Sequence, residues 1–344
     1  MEKEINNDEE IMVSITCLTY NHEPYIRDCL DGFVMQKTNF KFEVLIHDDA
    51  STDGTADIIR EYEAKYPDII KPIYQTENQY SQKKPFIRLY QYPRIQGKYL
   101  AWCEGDDYWT DPNKLQKQFN FMEKHSECSM CLHKVDKINT QTGDHIEYIP
   151  AKSMSEVITA ESFFNECIKA GYLFQTSSYF ISFDCYKEYM ENMPKFRKVI
   201  NVGDVPMLYY FITKGSFGYI DDVMSCYRSG VAGSWNERNK KNVARYLTNA
   251  IEGYNMLYEY NLFTNKKYEN QINELILKQS RGIYYFSILY GTNGQDITKY
   301  IGSLSAWNRK KIKLSLYRSR LIILLKKYNI FPTKLRKCLK RRVE

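Results

Sequence analysis

The most constraining feature of this chain is an alternation near its start: short apolar runs of strand length, each ending in polar or acidic residues, with helix-period segments between them. Residues 12–18 (MVSITCL) run into Thr19-Tyr20-Asn21-His22-Glu23-Pro24, and Ile26, Cys29, Leu30 and Phe33 follow at spacings of three and four. A second apolar run, Phe42–Ile46, stops at His47-Asp48-Asp49-Ala50-Ser51-Thr52-Asp53-Gly54-Thr55; 56–66 reads as a helix and 69–74 as a third strand. Strand, helix, strand, helix, strand at this spacing predicts an α/β, doubly wound start. In such sheets the ligand sits outside the carboxyl ends of the strands, where both polar clusters fall.

A third run, Lys98–Cys103, ends in Glu104-Gly105-Asp106-Asp107-Tyr108-Trp109, on the same predicted edge. A helix is expected over 114–124, with Asp111 as its N-cap and Pro112 in the first turn. Beyond it, 129–138 and 145–149 read as strands, 155–170 as a helix and 176–181 as a strand. Helices are expected over 186–193 and 204–214, an extended segment or strand pair over 217–227, and mostly helix from 236 to 291.

Carboxylates gathered on one edge repel one another unless they bind a cation or a donor-rich ligand, so the pattern asks for a divalent metal and a diphosphate. Neither GxGxxG nor GxxxxGK[ST] follows the first strand, which removes the main support for a dinucleotide oxidoreductase or a P-loop NTPase. Turn chemistry alone accounts for any single Asp/Gly loop; three in order favour function.

Charge is unevenly placed. Between 309 and 342 there are fourteen Lys and Arg and no acid; removing these from the 48 basic residues leaves 34 against 41 acidic ones, a net of about −7 before position 309. An acidic body argues against nucleic-acid binding. Nine scattered cysteines fit a reducing cytoplasm, and Cys128 and Cys131 form a lone CxxC read as core thiols. The polar MEKEINNDEE start is not expected to be a leader, and no apolar run approaches membrane-spanning length.

The segments VSITCLTYNHEPYI, VLIHDDASTDGT and GKYLAWCEGDDYWTDPNKL together resemble family 2 glycosyltransferases of the GT-A fold, especially bacterial members that assemble surface glycans; the resemblance runs over about residues 11–232. It implies a mostly parallel central sheet flanked by helices, here with a C-terminal helical extension. It also implies an inverting transfer from a nucleotide-sugar donor, UDP-linked in most relatives, to a saccharide or lipid-linked saccharide, with Mn2+ or Mg2+ as cofactor. By the resemblance, Thr19, Tyr20 and Asn21 line the nucleotide, with Tyr20 stacked on the base. Asp49 accepts from the base imide with Asp48 beside it, Asp106 contacts the ribose, and Asp107 holds the metal.

Inversion needs a carboxylate to take the acceptor's proton. The family places it downstream at a helix start, which points to Asp204 in Gly203-Asp204-Val205-Pro206; capping of that helix is its structural alternative. Arg228 matches the tyrosine-arginine that precedes a loop over the diphosphate. The histidine many relatives carry next is missing, since no histidine lies beyond His145, so Arg228 or Trp235 must compensate, while Gly230 and Gly233 suit a lid. His133 reads as an interior residue.

The expected organisation is a polar tail over 1–10, the transferase domain over 11–235 (nucleotide half 11–125, acceptor half 126–235), a helical extension over 236–306 and a basic amphipathic tail over 307–344. That tail suits either an anionic membrane surface, contacted through 307–342 at the inner face of the cell membrane, or a helix packed on the domain. Two rival functions are a sugar-nucleotidyltransferase, which should carry a glycine- and arginine-rich first loop, and a silent GT-A-fold glycan-binding or scaffold protein, which should have lost an acidic motif.

Overall fold

The computed structural model describes residues 10–171, 173–234, 237 and 243–289. Trp235 and the basic tail over 307–344 lie outside them. The chain divides into two compact units, Met1–Lys198 with Val202–Arg238, and Val199–Asn201 with Asn239–Glu344.

The first unit is built on one ten-stranded sheet. Its strands are β1 (Ile11–Thr19), β2 (Lys41–Asp48), β3 (Ile70–Tyr74), β4 (Tyr99–Trp102), β5 (Tyr108–Trp109), β6 (Cys128–Asn139), β7 (His145–Ile149), β8 (Val157–Ile158), β9 (Phe180–Ser182) and β10 (Ser216–Ser229). The main path runs β3-β2-β1-β4-β9-β6-β10-β5, with β7 on β6 and β8 on β10. The β3-β2-β1-β4 half is wholly parallel. The antiparallel strand β9 then joins it to the parallel pair β6 and β10. Near-continuous burial along β1, with Val13, Ile15 and Cys17 at zero exposure, is what a parallel strand covered on both faces requires.

Helices α1 (Ile26–Val34) and α2 (Thr55–Lys65) follow β1 and β2 as their periodicity predicts. In α1, Ile26, Cys29, Leu30 and Phe33 are all fully buried. Helix α3 (Lys114–Lys124) has Asn113, not Asp111, at its N-cap position; Asp111 instead accepts the Asn113 N–H at 2.8 Å, stabilising the turn before the helix. Helix α4 (Ala160–Ala170) is shorter than expected because 157–158 pair with β10 and Thr159 caps the helix by accepting the Ser162 N–H. Residues 176–178 form a buried 3-10 turn, not the start of a strand. The Ser177 and Ser178 carbonyls accept from Trp109 Nε1 (3.1 Å) and Gln118 Nε2 (2.9 Å) in place of a ladder.

Helices α5 (Phe183–Glu191), α6 (Lys195–Lys198) and α7 (Asp204–Phe211) lie between β9 and β10 in the chain. The segment over 217–227 is one long strand, irregular between Ile220 and Val223, rather than a pair. In the second unit, α8 (Val243–Phe263) and α9 (Glu269–Leu289) pack on each other, burying Tyr254, Leu257, Ile272 and Ile276. Among the described residues no helix is long and apolar enough to cross a membrane.

Candidate active site

Parallel pairing of β1 with β2 and β4 brings the three polar loops to one edge, and short hydrogen bonds fasten them together. Between the first and second loops, the Asn21 N–H donates to Ser51 Oγ (2.9 Å) and Asn21 Oδ1 accepts the Thr52 N–H (2.8 Å). The His22 N–H donates to Thr55 Oγ1 (2.8 Å), and Glu23 Oε2 accepts the Gly54 N–H (2.8 Å). Asn21 adopts a left-handed φ of 54°, which asparagine tolerates better than most residues. Its side chain is therefore part of the loop-to-loop fastening.

The first and third loops meet at Gly105, whose N–H donates to Leu18 O (2.9 Å). A Cβ there would stand 2.8 Å from Thr19 Oγ1 and 3.0 Å from His22 Nδ1, so only glycine permits this approach. Both of those polar atoms are buried without a hydrogen-bond partner. Tyr20, next along, is 44% exposed and available as a stacking surface.

In the second loop, Asp48 is buried and accepts from the Ser51 hydroxyl; burial raises its pKa against the pull of that hydrogen bond. Both oxygens of Asp49 accept backbone donors, Oδ1 from Gln79 N–H (2.7 Å) and Oδ2 from Tyr80 N–H (3.0 Å), while the Asp49 carbonyl accepts from Asn78 Nδ2 (3.0 Å). Asp49 thus orders the segment after β3, a role the sequence pattern did not disclose. That segment continues into a turn of π-helix over Ile87–Gln91. Its buried Gln91 Nε2 donates to Thr16 Oγ1 (3.0 Å) and Leu45 O (2.8 Å).

The third loop is poorer in donors. Asp107, 1% exposed, accepts the Arg228 N–H at Oδ1 (2.9 Å), while its Oδ2 is buried without a hydrogen bond. Burial, then the neighbouring Asp106, hold its pKa well above the usual carboxylate range, and the Arg228 N–H offsets this in part. The Asp106 carboxylate is 16% exposed and lies 4.0 Å from His22 Nε2. Half-buried Glu104 is pushed up to about 8, by burial first and then by the negative charges of Asp106 and Asp204. Glu104 and Asp204 therefore feel one another, although they lie on β4's trailing loop and the first residue of α7. The sequence offered no signal for that proximity beyond the acidic character of both.

Asp204 opens α7 after Gly203, and Pro206 fills a first-turn position where no N–H is missed. Arg228 is 9% exposed and is engaged on several sides: Nη1 donates to Asp106 O (3.0 Å) and Nη2 pairs with Asp28. Its guanidinium lies 4.3 Å from the Tyr108 ring centre and 5.3 Å from that of Tyr25. Beyond it, Gly230 (φ 96°) and Gly233 (φ 77°) take left-handed conformations that favour glycine. His133 is fully buried, with Nδ1 near Lys134 O (2.8 Å), an interior residue away from the loops.

Among the described residues no three His, Cys, Asp or Glu side chains converge as a self-sufficient metal site. The third loop nevertheless fits a cation shared with a ligand: one or two protein carboxylates plus substrate phosphate oxygens is a common set for Mg2+. The unpartnered Asp107 Oδ2, next to Asp106, is the orphaned acceptor such an ion would satisfy.

Residues 14–181 match the model of Glycosyl transferase family 2. The uncharacterized protein Rv1520 of Mycobacterium tuberculosis (strain ATCC 25618 / H37Rv) is 44% identical over 140 residues, 40% of this chain and 39% of that protein. The putative teichuronic acid biosynthesis glycosyltransferase TuaG of Bacillus subtilis (strain 168) is 36% identical over 115 residues, 33% of this chain and 43% of that protein. In both cases the chain spans about two fifths of the relative's length. Among solved structures, S. aureus TarS 1-349 in complex with UDP has the same fold, with a TM-score of 0.51, 15% identity, and coverage of 90% of this chain and 81% of that one. The three acidic loops on one sheet edge, the family match across them and the shared architecture agree, and residues 14–181 of the chain are a family 2 glycosyltransferase domain of the GT-A fold.

Proposed function

We propose that the chain is a metal-dependent, inverting glycosyltransferase that moves a sugar from a UDP-linked donor to a saccharide or lipid-linked saccharide acceptor during surface polysaccharide synthesis. The observation that carries this reading is the third loop, where a buried Asp107 oxygen without a partner sits beside the more accessible Asp106 at the carboxyl ends of the strands. The name of TuaG supports the surface-polysaccharide setting, and the UDP bound to TarS supports the nucleotide.

In this reading Tyr20 stacks on the base, and Thr19 Oγ1 offers an unused hydrogen-bonding group beside it. Asn21, Asp48 and Asp49 line the nucleotide mainly by fixing the loops around it. Asp106 faces the ribose, Arg228 steadies the acid pair below the diphosphate, and Asp107 holds Mn2+ or Mg2+. The cation supplies Lewis-acid stabilisation of the departing diphosphate.

Asp204 receives the proton of the acceptor hydroxyl as that oxygen bonds to the anomeric carbon. The bond from that carbon to the diphosphate breaks on the opposite face, so configuration inverts and a nucleoside diphosphate leaves. Burial, then the negative charges of Asp106 and Asp204, raise the pKa of the Glu104 carboxyl to about 8, which limits the negative charge it adds beside Asp204.

Calorimetry against UDP, GDP, dTDP and CDP, each with and without Mn2+, tests the reading. Mn2+-dependent binding of one nucleotide is expected, UDP first. Asp204→Asn should retain that binding and lose transfer by about 10²- to 10⁴-fold; binding of none of the four by the parent protein overturns the proposal.

A further inference from the structure

Asp28 has no place in the reading so far, yet it holds one end of the most heavily engaged side chain at the site. Arg228 follows Ser225 and Cys226, which pair antiparallel with Trp109 and Tyr108, so it emerges from β10 directly alongside Asp106. There its N–H donates to the Asp107 carboxylate, Nη1 donates to the Asp106 carbonyl, and the guanidinium lies near the rings of Tyr25 and Tyr108. The remaining arm, Nη2, pairs with Asp28 in the first turn of α1, whose side chain is 57% exposed.

A nine-tenths buried guanidinium within reach of two acidic residues has two choices of charged partner. Paired with Asp28, it contacts Asp106 through the backbone and leaves the Asp106 carboxylate, 4.0 Å from His22 Nε2, and the hydrogen-bond-free Asp107 Oδ2 without a guanidinium. Deprived of Asp28, it gains by turning to the Asp106 carboxylate, because a buried unpaired cation is costly. A guanidinium in that place competes with a divalent cation for the same charge.

We propose that Asp28 is a positioning residue for the donor site: by occupying Arg228 it keeps the guanidinium off the Asp106–Asp107 carboxylates and fixes the backbone that presents them. The inference rests on the proposed donor-site role of Asp106 and Asp107. It assigns the α1 face beside Tyr25 a function in cation affinity rather than in packing alone.

The test is a Mn2+ titration at saturating nucleotide, using whichever of UDP, GDP, dTDP or CDP the parent protein binds, read by calorimetry and accompanied by melting in metal-free buffer. Asp28→Asn is expected to raise the Mn2+ midpoint by about 10-fold or more, in the range seen when groups supporting a metal's ligands are altered. Asp28→Glu should restore most of it. Because the Asp28 side chain is largely exposed, both variants should melt close to the parent. An unchanged midpoint in Asp28→Asn overturns the inference while leaving the donor-site reading intact. A loss that tracks lowered melting and is not rescued by Asp28→Glu overturns it as well, as mere loss of structure. If the parent itself shows no Mn2+-dependent binding, the donor-site reading fails and the inference with it.

Discussion

Asp48-Asp49 and Asp106-Asp107 are the same dipeptide on the same sheet edge, but their surroundings have opposite character. Both oxygens of Asp49 receive backbone N–H groups, and Asp48 receives a serine hydroxyl. Asp107 receives a single backbone N–H, has the Gln175 side chain near it and keeps one buried oxygen without a hydrogen bond, with Asp106 adding negative charge beside it. The first pair is internally satisfied and shapes the chain around it, whereas the second keeps an acceptor that, on the proposed reading, a cation fills. What separates them is not the acidic residues but the supply of donors: the segment after β3 turns two backbone N–H groups onto Asp49, whereas Asp107 draws one backbone N–H, from Arg228, and the side chain of Gln175.

The largest test of this contrast is Asp107→Asn. It should lower Mn2+-dependent nucleotide binding by about 100-fold or more, yet leave the melting temperature in metal-free buffer undiminished, because the buried acid it replaces is poorly partnered and holds its proton more readily than an ordinary carboxylate. Binding to the parent should also release protons, since burial and the neighbouring Asp106 raise the Asp107 pKa and a cation displaces the proton. Apparent Mn2+ affinity therefore rises with pH, and heats measured in buffers of different ionisation enthalpy should differ for the parent and converge for Asp107→Asn.

Asp49→Ala should show the reverse balance. Losing two charge-assisted hydrogen bonds to Gln79 and Tyr80 is expected to cost about 1–3 kcal/mol in chemical denaturation. Nucleotide binding should weaken less than in Asp107→Asn. If Asp49→Ala left stability unchanged while Asp107→Asn lowered it, the contrast would be inverted.

The most indirect test concerns the support beneath the third loop. Lys114 is fully buried, donates to Gln118 Oε1 (2.7 Å) and lies 3.9 Å from the Trp109 ring centre; burial lowers its pKa from 10.5 to about 7, against the pull of nearby acidic groups. The folded state then binds fewer protons than the unfolded one between those values, so stability should climb as pH rises through that window. The slope from one such group is at most about 1.4 kcal/mol per pH unit. Denaturation of Lys114→Met between pH 7 and pH 10 should show that part of the slope removed.

The strands β1, β2 and β4 and their loops were legible because apolar runs and polar stops are local patterns, and the loops fall where such a sheet must place them. The sequence also marked Asp204 as the first residue of a helix. It gave no access to partners brought together by the sheet: Asp28 meets Arg228 across 200 positions, and Asp49 finds its donors in Gln79 and Tyr80, in a stretch with no periodicity. Within the 176–181 stretch the strand is found from Phe180 on, while 176–178 misled because their residue types suit a strand and Trp109 and Gln118 claim their carbonyls for a turn. Asn21 and Arg228 read as ligand contacts from position alone; that they also hold loops to one another is visible only in the fold.

Pairing Arg228 with Asp107 across 121 positions has a consequence for the order of events during synthesis. At about 5–20 residues per second, roughly 6–24 s pass between the emergence of Asp107 from the peptidyl-transfer centre and that of the residue that closes its loop. During that interval the parallel strands β3-β2-β1-β4 can already assemble, but the acid pair has neither its N–H nor its guanidinium. On the proposed reading, the nascent chain thus acquires the shape of its nucleotide-facing half well before the contacts that close the cation-holding loop, and a fragment ending at residue 181, the limit of the family match, should fold toward the first state without reaching the second.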